Sequence, residues 1–282
     1  MFSAIGNSLA LVATPDEVPM SELTIVAAAL QIQATRDAGP IWGITANVTP
    51  FTSLNDVPVG HWPIIIKAKI DQPGADGYHT DANNQPMAYV EYAPNWTLVA
   101  SHEMLEMLVD PFGNRLVPGP SIDPTQIRNR VRYLLEACDP VEDASCSYTI
   151  NGVMVSNFIT PAYHDPANTV GGRYDFVGAV IAPRTLLKNG YISWLDTALG
   201  GWYQMTNFDV SPYRVRFLGP ATATDAGLSA RELVHRKSPE AQVRPVIPKQ
   251  LLQDVHETRS GGAQASTAQA TEFQLLMQSM HP

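Results

Sequence analysis

The longest unbroken apolar rhythm in the chain runs over residues 96–110, WTLVASHEMLEMLVD. Neither Gly nor Pro interrupts it and Pro111 prevents its continuation, so the pattern predicts one helix. Trp96, Leu98, Val99, Met104, Leu105, Met107, Leu108 and Val109 lie all round it, the distribution of a buried helix. Upstream, residues 21–37 read as a helix lying on a sheet. Ser21 is the expected N-cap, Glu22 stands in the first turn, and Leu23, Val26, Ala27, Leu30 and Ala34 form one stripe that Gly39-Pro40 ends. Strands are expected over residues 41–50, 62–70 (with the run Ile64, Ile65, Ile66) and 87–92, with a polar loop over 74–85 that holds His79.

Beyond the central helix, residues 116–123 are broken by Pro118, Gly119 and Pro120 and read as irregular, and 128–137 reads as a strand in preference to a helix. Residues 148–155 form the clearest hairpin, with Asn151-Gly152 at its tip. Short strands follow over 174–180, 191–194, 202–208 and 213–218. From Gly219 the chain turns rich in Ala, Thr, Ser, Gln and Pro, the composition of a linker or disordered tail, with short helices expected over 228–236 and 248–256. The expected organisation is α+β: a loose lead-in over 1–19, a core over 20–147, a β-rich subdomain over 148–218 and a tail over 219–282.

Composition narrows the function classes. A chain of 282 residues with 45% apolar content has ample material for a core. Its net charge of −9 and lack of a basic cluster disfavour a nucleic-acid partner. No apolar run reaches the ~18 residues of a membrane span. The short apolar patch near the N-terminus has no Lys or Arg before it, so no signal peptide is read and the cytoplasm is the default expectation. Cys138 and Cys146, the only cysteines, read as ordinary thiols.

Candidate chemistry sits in the buried helix. His102 and Glu106 share a face at i, i+4, and Glu103 lies about 100° round from His102. Buried ionised carboxylates are costly unless paired or bound to a cation. Two readings stay open: His102 and Glu106 hold a divalent metal with Glu103 beside a water, or Glu103 and Glu106 pair with Arg or Lys. A catalytic metal needs a third ligand. Asp110 and Asp139 rank level, followed by Glu136 and His164, with His79 also considered. Asp110 lies about 12 Å along a straight helix from His102 and reaches the same ion only if the helix breaks first. The acidic run over 136–143 is either a solvated loop or a source of oxygen ligands for a hard cation.

The helix resembles the zincin metallopeptidase helix, HExxH, with Glu106 in the second His position. RDAGPIWGITANV, DVPVGHWPIII, SHEMLEMLVDPFGNR, EACDPVE, VSNFITPAYHDP and NGYISW together resemble a family of uncharacterised bacterial proteins with a zincin-like core, over roughly residues 30–205. The resemblance implies a mixed sheet with a backing helix and an active-site helix, and His102, Glu103, Glu106 and Asp110 as the signature cluster. It further implies residues 88–92 as the lip of a cleft that takes an extended peptide by strand addition. Glu103 is then the general base of a peptidase, Tyr163 or His164 an oxyanion stabiliser, and zinc the expected metal, with Ca²⁺ or Mn²⁺ as harder alternatives. The competing expectation is a non-catalytic scaffold or interaction protein, or a chain whose tail is cut by a partner protease.

Overall fold

The computed structural model describes residues 6–14, 18–72, 74–165, 172–208, 213–222 and 227–237. The architecture is mixed α+β, built on two five-stranded sheets. The first comprises β1 (Asn7–Ala13), β2 (Ala46–Phe51), β3 (Trp62–Lys67), β4 (Gly77–Ala82) and β5 (Gln85–Glu91) in the order β2-β1-β3-β5-β4. All its pairings are parallel except β4 with β5. The run Leu9–Val12 is buried because β1 lies between β2 and β3 with helices against the sheet. The expected loose lead-in over 1–19 is therefore corrected: part of it is an interior strand.

Two further expectations fall in this sheet. The polar loop over 74–85 is instead β4 and a tight turn into β5, in which Asn83 and Asn84 take φ of 53° and 62°. That hairpin puts a strand on each side of β5, so residues 88–92 have no free edge for a peptide.

Helix α1 (Met20–Ile32) packs on this sheet through Leu23, Val26 and Leu30. Its N-cap is Pro19 and no side chain caps it, so Ser21 does not serve there. Gly39-Pro40 does not stop the helix either. It runs on through a π-helical stretch, Gln33–Ala38, and the short α2 (Gly39–Trp42), and ends where Gly43 takes φ 68°. Pro40 is tolerated because it stands in the first turn of α2. The central helix α3 (Trp96–Val109) forms where the apolar pattern places it.

The second sheet is antiparallel: β6 (Leu116–Pro120), β7 (Arg130–Leu134), β10 (Tyr191–Asp196), β11 (Gly201–Thr206) and β12 (Arg214–Pro220), in the order β12-β11-β10-β7-β6. Residues 116–123 thus contain an edge strand, where Pro is tolerated, rather than an irregular loop. Because β6 and β7 pair into the same sheet as β10, the boundary expected after residue 147 runs through a shared sheet and a shared core. The hairpin of β8 (Tyr148–Ile150) and β9 (Val153–Val155) turns at Asn151 and Gly152, both at positive φ. Residues 174–180 form no strand beyond an isolated bridge of Asp175 to Ile159. A short helix α4 (Pro161–His164) lies in the loop after β9.

Helix α5 (Ala230–Lys237) is the short helix expected over 228–236. Ala230 and Val234 pack with Leu134 and Trp202, so this part of the tail is docked on the second sheet. The helix expected over 248–256 lies outside the described residues. Among the described residues, no helix is long and apolar enough to cross a membrane.

Candidate metal centre

Every residue of α3 is buried except His102, which is partly exposed on the wall of a cavity. The cavity, about 70 Å³, is bounded by α3, β4, the turn after β7 and α5. That is room for an ion and a few waters.

Three strokes of the backbone bring the donors together. The α-helical i, i+4 spacing sets His102 Nε2 3.3 Å from Glu106 Oε2. After β7 the chain makes a 3-10 turn at Asp139–Val141, which carries Asp139 Oδ1 to 3.1 Å from His102 Nε2. Leu187 N donates to Pro140 O, and a Cβ on Gly190 would collide with that same carbonyl, so the loop before β10 seats this turn tightly. The result is a group of three donors, His102, Glu106 and Asp139, whose ligand atoms all lie within 4.8 Å of one another.

Glu106 is oriented by its other oxygen. Oε1 accepts from the backbone N–H of Cys138 at 3.0 Å and of Asp139 at 3.2 Å, which leaves Oε2 facing the imidazoles. Glu103 is 6% exposed and pairs through Oε2 with His79 Nδ1 at 2.9 Å. His79 reaches it from β4, at a point where Gly77 lets the strand close on α3. A Cβ on Gly77 would stand 2.5 Å from Val99 Cγ1 and 2.9 Å from Glu103 Oε1.

The electrostatics are lopsided. Among the described residues, Glu103, Glu106, Glu136 and Asp139 are all buried, beside one buried guanidinium, Arg231. Burial pushes Glu103 up to about 8, opposed by His102 and reinforced by Glu106. Burial and the neighbouring Glu106 raise Asp139 to about 6. Burial and Arg231 hold His79 well below its ordinary value, hence neutral and ready to be a ligand. Burial opposes charge on His102 too, but Glu106, Cys138 and Asp139 outweigh it and raise its pKa well above the ordinary value. Burial would likewise raise Glu106, yet His102, His79 and Arg231 hold it ionised. Four buried carboxyl groups thus gather round His102 and Arg231, an arrangement of donors that could hold a divalent cation in place of the protons on His102 and Glu103.

The residues singled out in the sequence thus divide. His102, Glu103, Glu106 and Asp139 converge, joined by His79 and Glu136. The latter two also form, with Glu106, a second set of donors within 4.8 Å of one another. Asp110 does not join either set. The helix stays regular to Val109, and the Asp110 carboxylate accepts from Asn114 N and Arg115 N, closing the turn after α3. His164 is also removed: its ring packs on Tyr133 and Tyr163, and burial lowers its pKa to about 3. The Tyr163 hydroxyl donates to Thr185 O, away from the cavity. The sequence reading missed Tyr191 and His235, which line the cavity, and Arg231. Tyr191 hydrogen-bonds Asp139 from β10. The acidic stretch over 136–143 proves to be in large part interior, with Glu136 6% and Asp139 3% exposed, not a solvated loop.

No protein-family model, no curated protein and no solved structure matches the chain.

Proposed function

We propose that the protein is a metal-dependent peptidase in which His102, Glu106 and Asp139 hold one divalent cation and Glu103 is the general base. The observation that carries this reading is the convergence of those three donors on one cavity, with a buried carboxylate beside them. A mixed set of one imidazole and two carboxylates suits zinc, and equally a harder ion such as Mn²⁺ or Ca²⁺. The cation, when bound, polarises a carbonyl and brings the pKa of a water towards neutrality.

The chain's own residues supply the remaining steps. Glu103 takes a proton from the attacking water and returns it to the leaving amine. A positive charge nearby draws its pKa down from about 8, into the range a base at neutral pH needs. His79 Nδ1, 2.9 Å from Glu103 Oε2, fixes its orientation. Backbone N–H groups of Cys138 and Asp139 fix Glu106 in the same way.

Elemental analysis of purified protein, with cleavage of a mixed peptide library, tests this. We expect one divalent ion per chain, lost in His102→Ala and retained in Glu103→Gln, with cleavage lost in both. Wild-type protein that takes up no ion after dialysis against Zn²⁺ and Mn²⁺, or cleavage that survives Glu103→Gln, overturns it. A second reading, a non-catalytic module closed around its ion, is favoured by the small volume of the cavity and by α5 across it. An ion bound without any peptide cleavage would decide for that module.

A further inference from the structure

Arg231, on α5, is 3% exposed. Its Nε and Nη2 fork both oxygens of Glu136 at 2.7 and 3.0 Å, and Nη2 also donates to Asp110 O at 3.2 Å. The backbone around the end of α3 is shaped to seat it. Gly113 takes φ 60°, a Cβ there would stand 2.8 Å from Arg231 Cβ, and Gly113 O accepts from Arg231 N at 3.0 Å.

Glu136 is also a member of the second donor set, with His79 and Glu106, and Glu106 is common to both sets. His79 has its Nε2 buried without a hydrogen-bond partner among the described residues. Two donor sets joined by one carboxylate are the framework of a two-metal site, whose ions stand about 3.5–4 Å apart. Here the second set already faces a fixed positive charge, and a guanidinium cannot lose its proton to make way for an ion.

We propose that Arg231 is a built-in substitute for a second divalent cation: it plugs the His79–Glu106–Glu136 set, keeps the centre to a single ion and fastens α5 over the cavity. The second set is a latent metal site, and removing the guanidinium opens it. The proposal rests on the metal-binding reading above, but its test is a difference between variants and stands apart from whether peptide is cleaved.

The variants are Arg231→Met, which keeps an unbranched side chain without charge, and Glu136→Gln with Arg231→Met, which removes both halves of the pair. Each is stripped with chelator and titrated calorimetrically with Zn²⁺ and Mn²⁺, with bound ions counted by elemental analysis. We expect R231M to hold one equivalent more than wild type and the double variant to return to the wild-type count. An R231M protein with wild-type near-ultraviolet circular dichroism and an unchanged or lower count overturns the proposal. Should R231M fail to fold, R231Q, which keeps an amide donor towards Glu136, takes its place with the same two outcomes. If wild type binds no ion but R231M gains one that E136Q/R231M loses, the single-ion peptidase fails and the plug stands. If wild type binds one and R231M also binds one, the plug fails and the peptidase stands.

Discussion

Glu106 divides its two oxygens between two tasks. Oε1 satisfies two backbone donors of the turn that brings in Asp139, and Oε2 faces both histidines. Glu106→Ala therefore removes a candidate ligand and strands two buried N–H groups, each costing about 1–3 kcal/mol. We expect a loss of about 2–6 kcal/mol in urea denaturation of the metal-free protein, together with loss of metal binding. A variant that lost the ion at unchanged stability would show that the turn does not depend on this carboxylate. Gly77 acts by what it lacks. Gly77→Ala forces Val99 or Glu103 to move, so we expect peptide cleavage to drop by about tenfold or more, while the ion count stays at the wild-type value. Unchanged cleavage would mean that Glu103 needs no such close fit.

Among the elements, β1 carries more of the fold than its sequence advertises. Leu9 and Leu11 are fully buried between β2 and β3. Leu11→Ala should cost about 2–5 kcal/mol, whereas Val59→Ala, at a fully exposed position, should change stability by less than about 0.5 kcal/mol in the same denaturant titration. The seven-residue strand is illegible in the sequence because NSLALVA is too short and too uniformly apolar to show period-two alternation, which vanishes when both faces are covered. Helix α3 was legible for the opposite reason: its length and freedom from Gly and Pro leave no other element that fits. In β4, Gly-Tyr-His-Thr-Asp-Ala followed by Asn83-Asn84 held a hairpin signal in the asparagines, but its polar composition read as a loop.

At the scale of the whole molecule, the buried titratable groups of the centre set a pH dependence. Glu103 and Asp139, raised from ordinary values of 4.5 and 3.8 to about 8 and about 6, favour the folded state when protonated. Their contribution is complete below those ordinary values and is lost as pH rises through about 6 and then about 8. His102, raised well above its ordinary value, has the same sign. Glu106, held low, has the opposite sign, and its contribution is lost only in acid below its unfolded value. His79, His164 and His235, held low by burial, oppose this below about pH 6.5, where their contribution is lost as pH falls, so the metal-free protein should melt at lower temperature at pH 8.5 than at pH 7.0. An ion competes with those protons, so the rise in Tm on adding Zn²⁺ should grow with pH. Thermal melts at pH 5.5, 7.0 and 8.5, with chelator and with Zn²⁺, check both slopes. A metal-free Tm that climbs from pH 7.0 to pH 8.5 would contradict the arrangement of charges.

Local pattern alone determined the buried helix, its His102–Glu106 face, the Asn151-Gly152 hairpin and the α+β class, because each rests on spacing within about fifteen residues and on backbone rules that do not depend on distant partners. Choosing Asp139 over Asp110, bringing His79 to Glu103 and setting Arg231 on Glu136 needed the tertiary structure. Those pairs are 24 to 95 residues apart, and which of several carboxylates meets a given imidazole depends on how sheets and turns pack. Asp110, only eight residues from His102, was held away by the straightness of a helix. Asp139, far along the chain, was carried in by the path of β7.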